Sequence, residues 1–116
     1  MSETEIAKAI RDAVNASRMA HVVRVQSGVV SVRGGKMYLA EEGTPDALGY
    51  LIPSGRMVAI EVKTKTGKLR PAQEKWLADA KAAGVLCIVV RTPSEALDAL
   101  VAERKSSGTR RRLDTD

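Results

Sequence analysis

Asp46, Glu61 and Lys63 are the residues of this chain whose types and spacing can do chemistry. Asp46 ends the segment Gly43-Thr44-Pro45-Asp46 and opens a short apolar run. Glu61 and Lys63 stand two residues apart at the end of "MVAIEVK", residues 57–63. The period of a strand sends Val58, Ile60 and Val62 to one face and Ala59, Glu61 and Lys63 to the other. Alone, that second face describes an ion pair on an exposed sheet, worth about 1 kcal/mol or less. Asp46 changes the reading. Residues 46–52 and 56–63 read as two strands joined through Pro53-Ser54-Gly55, a turn signal. If they pair as a hairpin, Asp46 falls close to Glu61, on strands about 4.8 Å apart. Two carboxylates that close repel unless a positive charge sits between them, and a divalent cation does this. Carboxylate oxygen is a hard ligand, so Mg²⁺ or Mn²⁺ is expected rather than Zn²⁺.

The single histidine, His21, and the single cysteine, Cys87, argue against a zinc site. His21 is expected at a surface strand end, and Cys87 as a small buried apolar side chain. A metal held by two carboxylates keeps positions for water and a phosphate oxygen. Lys63 beside it can orient or deprotonate the nucleophile, or stabilise the transition state. Together these suit hydrolysis of a phosphodiester.

The charge pattern fits an anionic partner. The 116 residues carry a net charge of +5, and it is clustered. Residues 62–75 hold five basic residues against one acid, and residues 104–116 hold five against two. Local basic clusters on a near-neutral body point to nucleic acid, the other reading being a solvated, solubilising surface. Lys65, Lys68 and Arg70 follow the strand that ends in Lys63 and can hold a nucleic-acid backbone next to it. Arg33 and Lys36, flanking Gly34-Gly35, are further DNA-contact candidates. Aromatics are 3% of the chain and Phe is absent, so the core rests on Val, Ile, Leu, Ala and Met. A stacking platform for single strands is not expected. One cysteine permits no internal disulfide, which fits a reducing compartment. No apolar run reaches the length of a membrane span and no signal segment is visible, so a soluble cytoplasmic protein is expected.

The elements that must position these residues follow from periodicity. Residues 3–17 have Ile6, Ala9 or Ile10, Ala13 and Val14 at helical spacing, with Ser2 as N-cap. Residues 21–40 read as a strand, broken at Gly28, then a hairpin turning at Gly34-Gly35. After the two strands already described, Pro71 starts a second helix that Gly84 stops. "VLCIVVR", residues 85–91, is a continuous apolar run and reads as a buried strand. Pro93-Ser94 starts a last helix, and from 106 to 116 a basic, disordered tail is expected. Trp76 and Leu77 are expected in the core. The order α-β-β-β-β-β-α-β-α describes a mixed central sheet flanked by helices, α/β or α+β by element order, in one domain spanning 1–105, and α/β is the class expected.

Asp46 followed by Glu61-x-Lys63, with Pro45 before the Asp, resembles the PD-(D/E)XK nuclease signature. The finer likeness is to its VRR-NUC (virus-type replication-repair nuclease) branch. It is carried by Glu3-x-x-Ile6, Gln26-Ser27-Gly28, Gly43-Thr44-Pro45-Asp46, Ile60-Glu61-Val62-Lys63, Gly67-Lys68-Leu69-x-Pro71-x-Gln73 and the closing "GVLCIVVRTPSEAL". It covers about residues 3–100. One departure is Ala7, where the family often has Gln.

The resemblance implies a restriction-endonuclease-like core with Asp46 and Glu61 as metal ligands and Lys63 as the catalytic lysine. It implies that Gln73 fixes the lysine or the attacking water. Glu3 would reach the metal directly or through water, with Glu5 competing for that role. The Val62 carbonyl would complete the metal shell. It also implies a metal-dependent DNA endonuclease acting on branched DNA such as four-way junctions, in a bacterial or phage-infected host cytoplasm. Symmetric cutting of a branched substrate needs two sites, which a homodimer supplies, and the 21–40 hairpin is the segment expected to self-associate. The alternative is a non-catalytic DNA-binding module that retains the fold, needing the basic loop and tail but not the carboxylates.

Overall fold

A computed structural model describes residues 1–26, 29–38 and 40–114, and its elements run in the order expected from the sequence. They are α1 (Glu3–Ser17), β1 (Ala20–Arg24), β2 (Val29–Val32), β3 (Gly35–Tyr38), β4 (Ala47–Leu51), β5 (Met57–Val62), α2 (Pro71–Ala82), β6 (Leu86–Val90) and α3 (Pro93–Asp114). α1 begins where Ser2 caps it: the Glu5 N–H donates to the Ser2 hydroxyl at 3.1 Å. It ends at Arg18, whose φ of 63° turns the chain back into β1.

Four strands form one sheet in the order β1-β4-β5-β6. β1, β4 and β5 are antiparallel neighbours, and β6 runs parallel to β5. The parallel pair requires a crossover, and α2 supplies it. One face of the sheet packs Val58, Ile60 and Val62 against Ile10 and Val14 of α1 and Ala96 and Leu100 of α3, all buried. α3 is tied across by Arg56, whose guanidinium meets Glu103 and donates to the Gly84 carbonyl at 2.7 Å. Asn15 covers the open edge of β1: its amide donates to the Val22 carbonyl and accepts from the Val22 N–H. β2 and β3 make a separate two-stranded sheet, its turn at Arg33-Gly34 as the glycine pair implies.

Three expectations are corrected. β6 is at the edge of the sheet, and Val89 is 42% exposed, so its apolar run reflects parallel pairing and not burial on both faces. Cys87 and Trp76 are partly rather than fully buried. The last helix does not stop near Ser106 but continues to Asp114; Arg110 to Leu113 are good helix formers, whereas Ser106, Ser107, Gly108 and Thr109 are weak ones, so propensity accounts for only part of the extension. Ser27 and Gly28 of the Gln26-Ser27-Gly28 segment lie outside the described residues. Among the described residues no helix is long and apolar enough to cross a membrane.

Candidate active site

The site is assembled at one end of the sheet by strand register. Ala47 pairs with Ile60, so Asp46 arrives beside Glu61 as the hairpin reading requires. The Asp46 carboxylate accepts a hydrogen bond from the Val62 N–H at 2.7 Å, which fixes it across the end of β5. The segment before it is folded for that purpose. Thr44 closes a turn on the Glu41 carbonyl with its N–H and its hydroxyl, and Pro45 is buried. Gly43 has a φ of +87°, and a side chain there would strike the Ala72 backbone. Only glycine lets this loop press on the start of α2, which carries Gln73.

Glu61 is 2% exposed, so the strand face that can be mistaken for solvated surface is buried. α2 covers it. Gln73, itself buried, accepts from the Arg70 N–H at 2.9 Å through its carbonyl oxygen. Its amide is thereby aimed at Glu61 Oε1, to which it donates at 3.3 Å. Lys63 Nζ lies 3.8 Å from the same oxygen, and the Lys63 N–H extends the parallel ladder to the Val90 carbonyl at 3.0 Å. Glu61 Oε2 is buried with no hydrogen-bond partner. Gln73 therefore holds Glu61 Oε1 and the start of α2 together.

The electrostatics follow. Burial pushes the Glu61 carboxyl up to about 8; Asp46 adds to this, first as a hydrogen-bond partner of the protonated group and then by its charge, Lys63 pulls it down and Glu3 raises it. A buried carboxyl held in its neutral form beside a second carboxyl is an environment that a cation would reverse. The orphaned oxygen of Glu61, next to Asp46 and with all-oxygen donors, fits a hard divalent ion. Among the described residues no group of three or more His, Cys, Asp or Glu side chains is gathered to hold a metal. Glu3 is exposed at the start of α1 and lines a cleft with Asp46, near enough to act on Glu61 through its charge. Glu5 instead accepts from the Ser2 hydroxyl at 3.1 Å, as part of the helix cap.

Lys65, Lys68 and Arg70 are exposed on the loop after β5. Arg91, not singled out in the sequence, anchors that loop by donating to the Gly67 carbonyl at 3.1 Å. Arg33 and Lys36 are exposed in the β2–β3 hairpin, outside the main sheet. His21 is exposed against Tyr50, ring centroids 5.7 Å apart, which agrees with a surface role.

Comparison with known proteins agrees with this arrangement. The sequence model of the VRR-NUC domain matches residues 2–93, which include Glu3, Asp46, Glu61, Lys63 and Gln73. Among the solved structures that match is a VRR-NUC domain aligned over 86% of this chain and 94% of its own, with a TM-score of 0.60 and 24% identity. That likeness is one of fold. No curated protein matches the chain.

Proposed function

The chain belongs to the VRR-NUC family, a nuclease-type DNA-processing domain, and on that premise we propose that it is a metal-dependent DNA endonuclease acting on branched DNA as a homodimer. The observation that carries the reading is Glu61: a carboxyl 2% exposed, with no donor reaching its Oε2, set beside a second carboxyl, Asp46, and 3.8 Å from an amine. Uncompensated burial of that kind costs stability, and a site that binds a cation gives it a reason.

Mg²⁺ or Mn²⁺, held by Asp46, Glu61 and the Val62 carbonyl, would supply an acidified water and a polarised phosphate. The chain's own residues do the rest. The Val62 N–H orients Asp46, and Gln73 occupies Glu61 Oε1 so that Oε2 stays available. Lys63, held 12% exposed in its side chain, presents an ammonium to the attacking water or to the negative charge growing on the phosphate. Glu3, which lines the cleft with Asp46, would meet the cation through a water. Lys65, Lys68 and Arg70 hold the DNA backbone, with Arg33 and Lys36 contacting a more distant part of it.

The dimer rests on one site per chain and on apolar surface. An isolated two-stranded ribbon is marginally stable in water, and β2–β3 exposes Val32 and Met37. A second copy that packs on this hairpin completes the two-site assembly.

The test is a panel of four-way, flapped and linear DNA incubated with Mg²⁺ or Mn²⁺ and then with chelator. Metal-dependent cutting of branched DNA in preference to linear supports the reading. Binding without cleavage, with affinity unaffected by Asp46→Ala, would instead identify a DNA-binding module.

A further inference from the structure

The strand directions bring four strand ends to one edge of the sheet. Arg24 ends β1 and pairs with Ala47, Asp46 precedes β4, Glu61 lies at the end of β5 with Lys63 just after it, and Arg91 follows β6. Neighbouring strands are about 4.8 Å apart, so these residues form a row in which the acids lie between basic residues. On the β6 side the row continues into Lys65, Lys68 and Arg70. On the β1 side it opens into a cleft of about 180 Å³ lined by Glu3, Ala7, Arg11, Arg24, Val25 and Asp46.

The cleft is built rather than accidental. Glu3, Ala7 and Arg11 share one face of α1 at a spacing of four residues. Ala7 between them is buried and small, which leaves the floor open. The Val25 N–H donates to the Asp46 carbonyl at 2.9 Å, locking the end of β1 to the residue that carries the carboxylate. Among the described residues no ion pair involves Arg11 or Arg24, although Glu3 and Asp46 line the same cleft. Among the described residues neither guanidinium is paired with the acids beside it, and planar guanidinium matches phosphate oxygens.

We propose that Arg11 and Arg24 form a second phosphate-binding subsite, which holds the DNA strand on the side of the acid pair opposite the 64–70 loop. The inference rests on the nuclease reading and deepens it. The strand is gripped on both sides of the cleaved phosphodiester, so its path runs along the sheet end from β1 to β6. Arg11 and Arg24 are positioning residues and do not touch the reacting atoms.

The experiment measures binding of a labelled branched DNA by fluorescence anisotropy in chelator, over a range of salt, alongside cleavage in Mg²⁺. Each phosphate contact contributes about 0.9 to the slope of log K against log salt on duplex DNA. Arg11→Ala with Arg24→Ala is expected to lower that slope by about 1.8, with the thermal midpoint unchanged. Arg24→Lys retains most of the slope, and Lys81→Ala, at the far end of α2, leaves it unaltered. A wild type that binds and cuts while the double variant keeps its slope and affinity overturns the subsite alone. A wild type that binds no DNA overturns the nuclease reading and the subsite with it.

Discussion

One face of the sheet has two halves with opposite fates. Over β5 and the first half of β6 it is roofed by α2, and there Ala59 and Glu61 are buried, with Gln73 donating to Glu61 and Cys87 against the Leu77 carbonyl, while Val89 at the sheet edge is 42% exposed. Over β1 and β4 the same face carries His21, Val23 and Tyr50, and it continues to Met57 at the start of β5; Val23 is 56% exposed and Tyr50 49%. The pleat is the same in both halves. The roof differs, because only the parallel β5–β6 pair needs a crossover helix. A strand pattern therefore tells which residues share a face, and the topology tells which part of that face becomes a low-dielectric site. Under the roof a carboxylate is driven up to about 8, while the open half retains exposed apolar side chains.

Changes under the roof should have the largest effects. Lys63→Ala removes the amine next to Glu61, and single-turnover cleavage is expected to fall by about 10²–10⁴-fold, the range of a positioned proton-transfer group. DNA binding in chelator should change little by comparison. Equal loss of binding and cutting would place Lys63 among simple backbone contacts.

Gln73→Leu keeps the volume but releases Glu61 Oε1 and the Arg70 N–H. Groups that orient a metal ligand typically matter by about 10–100-fold, and that loss is expected in apparent Mn²⁺ affinity. Mn²⁺ titrations that match wild type would mean Gln73 only caps α2.

The raised Glu61 group gives the metal-free protein a particular pH dependence. Between an ordinary value of 4.5 in the unfolded chain and about 8 in the fold, the folded state holds a proton that the unfolded state has lost. The contribution of Glu61 to stability is therefore full below about pH 4.5, falls as pH rises through that window and levels off above about 8. The total is on the order of a few kcal/mol. Thermal midpoints in chelator should show the decline for wild type, and Glu61→Gln should remove it. A wild-type midpoint that rises across the window would contradict the assignment.

The open half should respond least. Val23→Lys, on exposed surface, is expected to change stability by no more than about 0.5 kcal/mol. It also tests whether this half-face joins the β2–β3 hairpin in self-association. Sedimentation of wild type and variant reports this: where wild type forms the proposed dimer, a shift of the variant to monomer extends the interface beyond the hairpin, and an unchanged dimer confines it there.

Much of this was legible in residues. The hairpin signal at Pro53-Ser54-Gly55 was enough to bring Asp46 beside Glu61, and Pro71 and Gly84 were enough to bound α2. The burial of Glu61 was not legible, since the alternation of 57–63 is the same under a helix or under water. Arg91 and the Arg11–Arg24 cleft were missed for a related reason. They belong to strand ends and helix faces distant in sequence, and only the β1-β4-β5-β6 order brings them to one edge. Gly43 could have been a clue, because a glycine next to a buried proline and a chemically active Asp suggests close backbone approach.

The most direct test of the central claim is cleavage of branched DNA in Mg²⁺ at pH 8 by Glu61→Gln beside wild type. The substitution keeps the shape of the side chain and removes the charge that burial disfavours. The account predicts a folded variant, with a higher thermal midpoint in chelator than wild type, that does not cut. A variant that cuts at the wild-type rate would show that Glu61 holds no metal and that its burial serves the fold alone.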